Sequence, residues 1–381
     1  MSLRSVELFT GAGGLAMGVA QAGFDHDLVV EWDARACSTL TENLGASDRI
    51  LHGDVREVDF KDREGRVDLL AGGPPCQPFS LGGKHQGQLD PRDMFPEMIR
   101  AVRELRPRAI LVENVKGLLR ASFASYFEYI LLQLSYPELV ARTGESWLDH
   151  LARLEQHRTS GSVEGLHYNM VFRMLNAADY GIPQKRHRVF LVGFRSDLGV
   201  EWAFPEPTHS AAALRYQQCV TGEYWDRHGI PTPMEFTVNF HDFPQPTTLP
   251  WRTVRDAIGD LPEPEHGADD DGWGHVLVPG ARTYPGHTGS PLDEPSKTLK
   301  AGVHGVPGGE NTLRLNNGSV RYYTIREAAR IQTFPDTYRF TSSWTESMRQ
   351  IGNAVPVALG HLVAQSIKDA LLGETGKECR Q

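Results

Sequence analysis

The sequence predicts an α/β protein: a doubly wound, mostly parallel, Rossmann-like sheet joined to a second, smaller, irregular β-rich domain. Three observations predict it. Short apolar runs alternate with helical patterns through the first half of the chain. A glycine turn, Gly11-Ala12-Gly13-Gly14, follows the first apolar run and opens a helix. Between residues 195 and 320 the periodicity fades while prolines and glycines crowd in.

Taken in order, residues 6–9 form the first strand, and a short helix starts at Leu15. Residues 28–30, 50–51, 67–71 and 109–112 supply further strands. Phe95, Ile99, Val102 and Leu105 recur at helical spacing, so residues 91–105 form an amphipathic helix that Pro107 ends. Residues 189–194 are another strand. Residues 256–271 form an acidic, loop-like run, and helical patterning returns from Thr324 to about Leu372. Residues 132–166 read as an insertion with Trp147, Leu148, Leu151 and Leu154 on one helical face. The expected organisation is residues 1–194 plus 321–372 as one domain, 195–320 as a second, and 373–381 as a tail.

At 381 residues the chain is long enough for two domains with a well-buried core. Charged residues at 23% and hydrophobic residues at 40% are ordinary for a soluble globular protein. No apolar run approaches a membrane span, and the N-terminus lacks the layout of a signal peptide. Cys37, Cys76, Cys219 and Cys379 stand far apart, so neither a disulfide framework nor a zinc site is suggested and a reducing cytoplasm is expected. The net charge of −9 leans against a nucleic-acid partner, although a basic cleft can coexist with an acidic exterior.

Residues 72–80 carry the sharpest chemistry. Cys76 follows Gly72-Gly73-Pro74-Pro75 directly behind a buried-strand pattern, and ligands bind outside the carboxyl ends of such strands. Two prolines make a stiff shoulder for the thiol. A cysteine so placed is a candidate nucleophile, or else a small hydrophobe packed under a turn. The glycine turn and Glu31, twenty positions after Gly11, satisfy a dinucleotide-type fingerprint for an adenosine-containing cofactor. That pattern does not separate NAD from S-adenosylmethionine. Asp54 is placed to reach the same ligand, or to be a solvated loop carboxylate. Glu113 emerges at the sheet edge that bears Cys76, and Arg188 enters at the start of the 189–194 strand. Together a thiol, an acid and a guanidinium suit attack on a pyrimidine ring: thiolate at C6, proton at N3, arginine at O2.

These blocks, in this order, resemble the DNA (cytosine-5)-methyltransferases of prokaryotic restriction–modification type. The matching stretches are Phe9-Thr10-Gly11-Ala12-Gly13-Gly14, Glu31-Trp32, Gly53-Asp54-Val55, Gly73-Pro74-Pro75-Cys76-Gln77, residues 90–100, Glu113-Asn114-Val115, residues 184–188, residues 323–328 and residues 350–356. The resemblance implies Cys76 as nucleophile, Glu113 as the acid at N3, and Arg188 as the O2 partner helped by Arg186. It implies that Phe9, Gly11, Gly13, Gly14, Glu31, Trp32, Asp54 and Val55 hold S-adenosylmethionine and its product S-adenosylhomocysteine, with Asn353 and Val355 completing the pocket. Pro75 would offer its carbonyl to the cytosine amino group. Residues 195–320 would be the target-recognition domain, with Thr298-Leu299 near a flipped nucleotide. Residues 80–88, rich in glycine, would be a loop that closes over DNA, and Ser80, Gly82 and Arg92 would contact DNA.

The implied substrate is double-stranded DNA, the implied partner a cognate restriction nuclease or other defence protein, and the expected state a monomer. The basic residues Arg252, Arg255, Arg282, Lys297 and Lys300 are expected to gather toward DNA. Competing readings are tRNA cytosine-5 methylation on the same fold, a nicotinamide-dependent oxidoreductase, and a catalytically silent DNA-binding module.

Overall fold

The computed structural model describes residues 2–45, 48–75, 93–161, 165–236, 244–267, 272–283, 288–301 and 311–373. Cys76, Ser80, Gly82 and Arg92 lie outside the described residues. The chain divides into two compact units, residues 1–174, 187–204 and 360–381, and residues 175–186 and 205–359.

The first unit alternates strand and helix: β1 (Leu3–Leu8), α1 (Gly14–Gln21), β2 (Phe24–Glu31), α2 (Ala34–Leu44), β3 (Ile50–His52), β4 (Leu69–Gly72), α3 (Phe95–Leu105), β5 (Ala109–Val115), α4 (Ala124–Ser135), α5 (Trp147–Ser160), β6 (Tyr168–Asn176) and β7 (His187–Arg195). The seven-stranded sheet runs β3-β2-β1-β4-β5-β7-β6. β1 to β5 pair in parallel, whereas β7 runs antiparallel to β5. Strand order reverses between β1 and β4, where Leu8 stands opposite Gly72. The glycine turn after β1 and the Gly73–Pro75 stretch after β4 therefore leave the sheet side by side, at the switch point where such folds bind ligands.

Sequence periodicity explains the packing. Phe95, Met98, Ile99, Val102 and Leu105 of α3 are all buried, and Arg106, in left-handed conformation, ends the helix one residue before Pro107. In the insertion the expected apolar face is only partly right. Leu151 and Leu154 are buried and Trp147 packs against the core, but Leu148 is 57% exposed. The helix begins at Trp147, so His150 shares the buried face at i+3 and Leu148 points about 100° away. His150 is held from both sides, its Nδ1 2.8 Å from the Tyr129 hydroxyl and its Nε2 2.7 Å from the Leu139 carbonyl.

In the second unit the elements are short: β8 (His209–Ser210), α6 (Ala211–Tyr216), α7 (Glu223–His228), β9 (Leu249–Pro250), α8 (Val254–Ile258), β10 (Ser290–Pro291), β11 (Thr312–Arg314) and β12 (Val320–Tyr322). β10 to β12 form a small mixed sheet. α9 (Ile325–Ile331), α10 (Trp344–Asn353) and α11 (Val357–Leu371) follow. The compact units divide the chain elsewhere than at residues 194 and 320. α9 is capped by the reciprocal Thr324–Glu327 pair, and Arg326 reaches the carbonyls of Trp273 and Tyr338. Those bonds tie α9 to residues 205–359. From Gly360 onward the chain belongs to the first unit, where Ser366 Oγ lies 2.6 Å from Trp202 Nε1.

Candidate active site

Three groups built on the first unit converge at the sheet's switch point. The first is the turn after β1. Phe9, Gly11 and Gly13 all take positive φ, and Gly13 in left-handed conformation precedes α1. Among the described residues nothing lies within 4 Å of where a Gly11 Cβ would sit, so the glycine keeps the turn open on that side.

Glu31, at the end of β2, is the organiser of that turn. Its Oε2 accepts from Gly11 N at 2.6 Å, and its Oε1 from Trp32 N at 3.0 Å and Asp33 N at 2.8 Å. Each carboxylate oxygen has two lone-pair sites, so Oε2 retains capacity for a hydroxyl donor beside Gly11. Trp32, next along, has its indole 75% exposed. An exposed aromatic face, a carboxylate with remaining capacity and a glycine turn at a helix N-terminus fit an adenosine-bearing methyl donor. Asp54 is engaged differently from the expectation. Its carboxylate pairs with Arg56 and caps the backbone there, and that bonding to Arg56 holds its pKa below the usual carboxylate range. A contact from Asp54 to adenine would compete with this pair. Val55 beside it is buried.

The second group is the ion pair between β5 and β7. Glu113 stands opposite Phe190 and Val115 opposite Arg188 in the ladder. Arg188 Nε lies 2.8 Å from Glu113 Oε1, with the side chains 11% and 10% exposed. Burial pushes the Arg188 guanidinium pKa down, and the Glu113 carboxylate acts against that shift. Glu113 Oε2 faces the strand end of β4, since a Cβ on Gly73 would come within 3.3 Å of it.

The third group holds the backbone that leaves β4. Asn114 Nδ2 donates to the Pro74 carbonyl at 3.0 Å, and Asn114 Oδ1 accepts from Val115 N at 2.9 Å. Sequence reasoning quoted Asn114 without giving it a role; its position beside Glu113 was the available signal. Pro74 is buried and Pro75 exposed, two residues and one residue before Cys76.

Arg186 does not join Arg188. It is fully buried and donates to the carbonyls of Leu299 (2.8 Å), Gly352 (2.7 Å) and Ala354 (2.9 Å), all in the second unit. Thr298 Oγ1 donates to the Lys185 carbonyl at 2.7 Å, and Leu299 is buried. Asn353 is exposed at the end of α10, and Val355 is buried. Arg255 also departs from expectation, because a bidentate pair with Asp293 engages it inside the unit.

The sequence pattern of the C-5 cytosine-specific DNA methylase family matches residues 3–136 and 153–369. The chain belongs to this family. It is a DNA cytosine-5-methyltransferase, as its motifs led one to expect, and the oxidoreductase reading falls away. The Type II methyltransferase M.PspPI of Psychrobacter sp. is 33% identical over 379 residues, covering 95% of this chain and 78% of that protein. M.NgoMIV of Neisseria gonorrhoeae is 31% identical over 383 residues, covering 98% and 100%. Among solved structures, a prophage-encoded DNA modification methyltransferase candidate of Escherichia coli aligns with a TM-score of 0.60 at 22% identity, covering 97% and 100%. The S. pombe Dnmt2 methyltransferase aligns at 0.56 and 19%, covering 96% and 98%. Likeness at those identities shows the fold alone. Residues 137–152, which the family pattern skips, include the start of α5.

Proposed function

We propose that this enzyme methylates C5 of a flipped cytosine within a specific short duplex sequence, through a covalent bond between Cys76 and C6 of the ring. The observation that carries this reading is the buried Glu113–Arg188 pair at 2.8 Å, set against the Gly73–Pro74 backbone that leads into Cys76. An acid and a guanidinium fixed to one another are what a pyrimidine's N3 and O2 edge requires.

The chemistry follows from cytosine. C5 is a poor nucleophile until a group adds at C6. The Cys76 thiolate adds there while Glu113 delivers a proton to N3, and Arg188 holds O2. Glu113 takes part in this step in its protonated form. C5 then becomes an enamine carbon and takes the methyl group. Loss of the C5 proton to water and elimination of the thiolate release the product, and N3 returns its proton to Glu113. Extruding the base from the duplex costs a few kcal/mol. The Pro75 carbonyl accepts from the cytosine amino group. Phe9, Gly11, Gly13, Gly14, Glu31, Trp32 and Val55 would hold S-adenosylmethionine, which supplies the methyl group when bound and leaves as S-adenosylhomocysteine.

Residues 195–320 carry sequence choice in this reading, and the protein acts as a monomer in the cytoplasm, at the nucleoid, with a cognate nuclease as its genomic companion. No helix among the described residues is long and apolar enough to cross a membrane. Duplex DNA is preferred over tRNA because the length of the 195–320 region suits groove reading.

Duplex substrate carrying 5-fluorocytosine decides the mechanism, since fluorine cannot leave as a proton. Wild-type enzyme is expected to form a stable adduct, and Cys76→Ala to form none while still binding DNA. An adduct that persists in Cys76→Ala, or a methyl group found on the exocyclic amine, overturns the assignment.

A further inference from the structure

Gln184, Arg186 and Gln332 are fully buried polar side chains of the second unit, and they bond to one another and to two backbone stretches. Gln184 Nε2 donates to Gln332 Oε1 at 2.8 Å, and Gln184 Oε1 accepts from Leu299 N at 3.0 Å. Gln332 Nε2 donates to the carbonyls of Ile351 at 2.6 Å and Ala354 at 3.0 Å. Arg186 spans both stretches, with Nη1 on Leu299 O and Nη2 on Gly352 O and Ala354 O. Residues 298–301 and 351–354 are also in direct backbone contact. A Cβ on Gly352 would lie 2.5 Å from Ala301 N and from the Lys300 carbonyl carbon, so no side chain fits there.

A buried guanidinium is tolerated where most of its donors meet acceptors, as both Nη groups of Arg186 do, and a planar fork can serve carbonyls on two segments at once. Lysine offers a point charge on a flexible stem and cannot reproduce that spread. Arg186 thus sets the distance between the 298–301 stretch and the 351–354 turn, and it cannot turn toward a nucleotide without abandoning three carbonyls.

We propose that Arg186 is a positioning residue for DNA reading: it fixes the Thr298–Leu299 stretch, so its loss acts on DNA affinity and sequence discrimination and spares the bond-forming steps. This rests on the proposed contact between residues 298–299 and DNA.

The test uses the full chain and a duplex bearing the sequence that the wild-type enzyme methylates in expressing cells, mapped by bisulfite sequencing. Arg186→Lys, Gln332→Met and Gly352→Ala are each expected to raise KM for DNA about tenfold or more and to narrow the preference over one-base variants of the site. With DNA and S-adenosylmethionine both saturating, all three should still methylate with kcat within about threefold of wild type, whereas Arg188→Lys loses kcat. Should Arg186→Lys fail to fold by thermal melting, Gln332→Met and Gly352→Ala decide the matter. Unchanged KM and preference in the folded variants, or a fall in kcat like that of Arg188→Lys, overturns the proposal. A photocrosslinker at position 298 that finds no DNA sinks the reading beneath it instead, so the two failures are distinguishable.

Discussion

Replacing Glu113 by glutamine separates its two roles, counter-charge and acid. The carboxylate sits 2.8 Å from Arg188 Nε, and each side chain is only about a tenth exposed. Glutamine keeps the shape but leaves a buried guanidinium without its counter-charge. Breaking such a pair from one side costs about 3–5 kcal/mol. The bond from Arg188 Nη1 to the His187 carbonyl at 2.9 Å survives, along with slight solvent access. The expected loss is therefore near the lower bound, about 3 kcal/mol. The chemical effect is separate, because losing a positioned acid costs about 10²–10⁴-fold in rate. Urea unfolding reads the first effect, and single-turnover methyl transfer at saturating DNA reads the second. The double variant Glu113→Gln/Arg188→Met removes both charges, so it should regain much of the stability and none of the rate. An unchanged urea midpoint for Glu113→Gln, or strict additivity in the cycle, would refute the ion-pair argument. A rate within about threefold of wild type would refute the acid role.

Other expectations are more local. Asn114→Ala removes the bond to the buried Pro74 carbonyl and should destabilise by about 1–3 kcal/mol, with slower 5-fluorocytosine adduct formation; equal trapping rates would detach Asn114 from the cysteine's placement. Leu154→Ala, in the fully buried face of α5, should cost about 2–5 kcal/mol in chemical denaturation, whereas Leu148→Ala should cost almost nothing. Burial, with Glu31 and Asp33 nearby, pushes the Cys37 thiol up to about 12, so iodoacetamide at about pH 8 should leave Cys37 unlabelled in the folded protein. For His26, burial alone would lower the pKa from 6.5, but the attraction and hydrogen bond from Glu7, aided by Asp25 against Arg49, raise it overall. That stabilisation is complete below the unfolded value and fades as pH rises through the folded one. His26→Gln should thus cost more stability at about pH 5.5 than at about pH 9, and an equal loss at both would contradict the pairing.

Much of the first unit was legible in order and type. The run at 109–112 is the core of β5, a continuous apolar stretch as a strand buried on both faces requires, and the runs at 6–9 and 67–71 overlap β1 and β4, with Glu7 and Asp68 interrupting them and Phe9 already in the turn. β6 was not seen: Val171, Phe172 and Met174 are exposed along it, and no alternation marks it. α4 was missed as well, since its apolar residues do not keep to one stripe. The Leu148 error has a different origin: at about 100° per residue Trp147, Leu151 and Leu154 share one face and Leu148 lies off it, whatever residue starts the helix.

The sequence by itself determined the chemistry-bearing blocks and their places at strand ends, because glycines, prolines and strand patterns act over a few residues; it left the strand order, which sets the turn after β1 beside the stretch after β4, to the fold. It could not tell Arg186 from Arg188. The two arginines stand in the same short basic run, yet Arg188 meets Glu113 between β7 and β5 and Arg186 meets carbonyls at residues 299, 352 and 354. Those partners lie 75 to 168 positions away in the chain, as 188 − 113 and 354 − 186 give. Burial and hydrogen-bond direction for such side chains are set by distant backbone, and only the folded chain brings that backbone into reach.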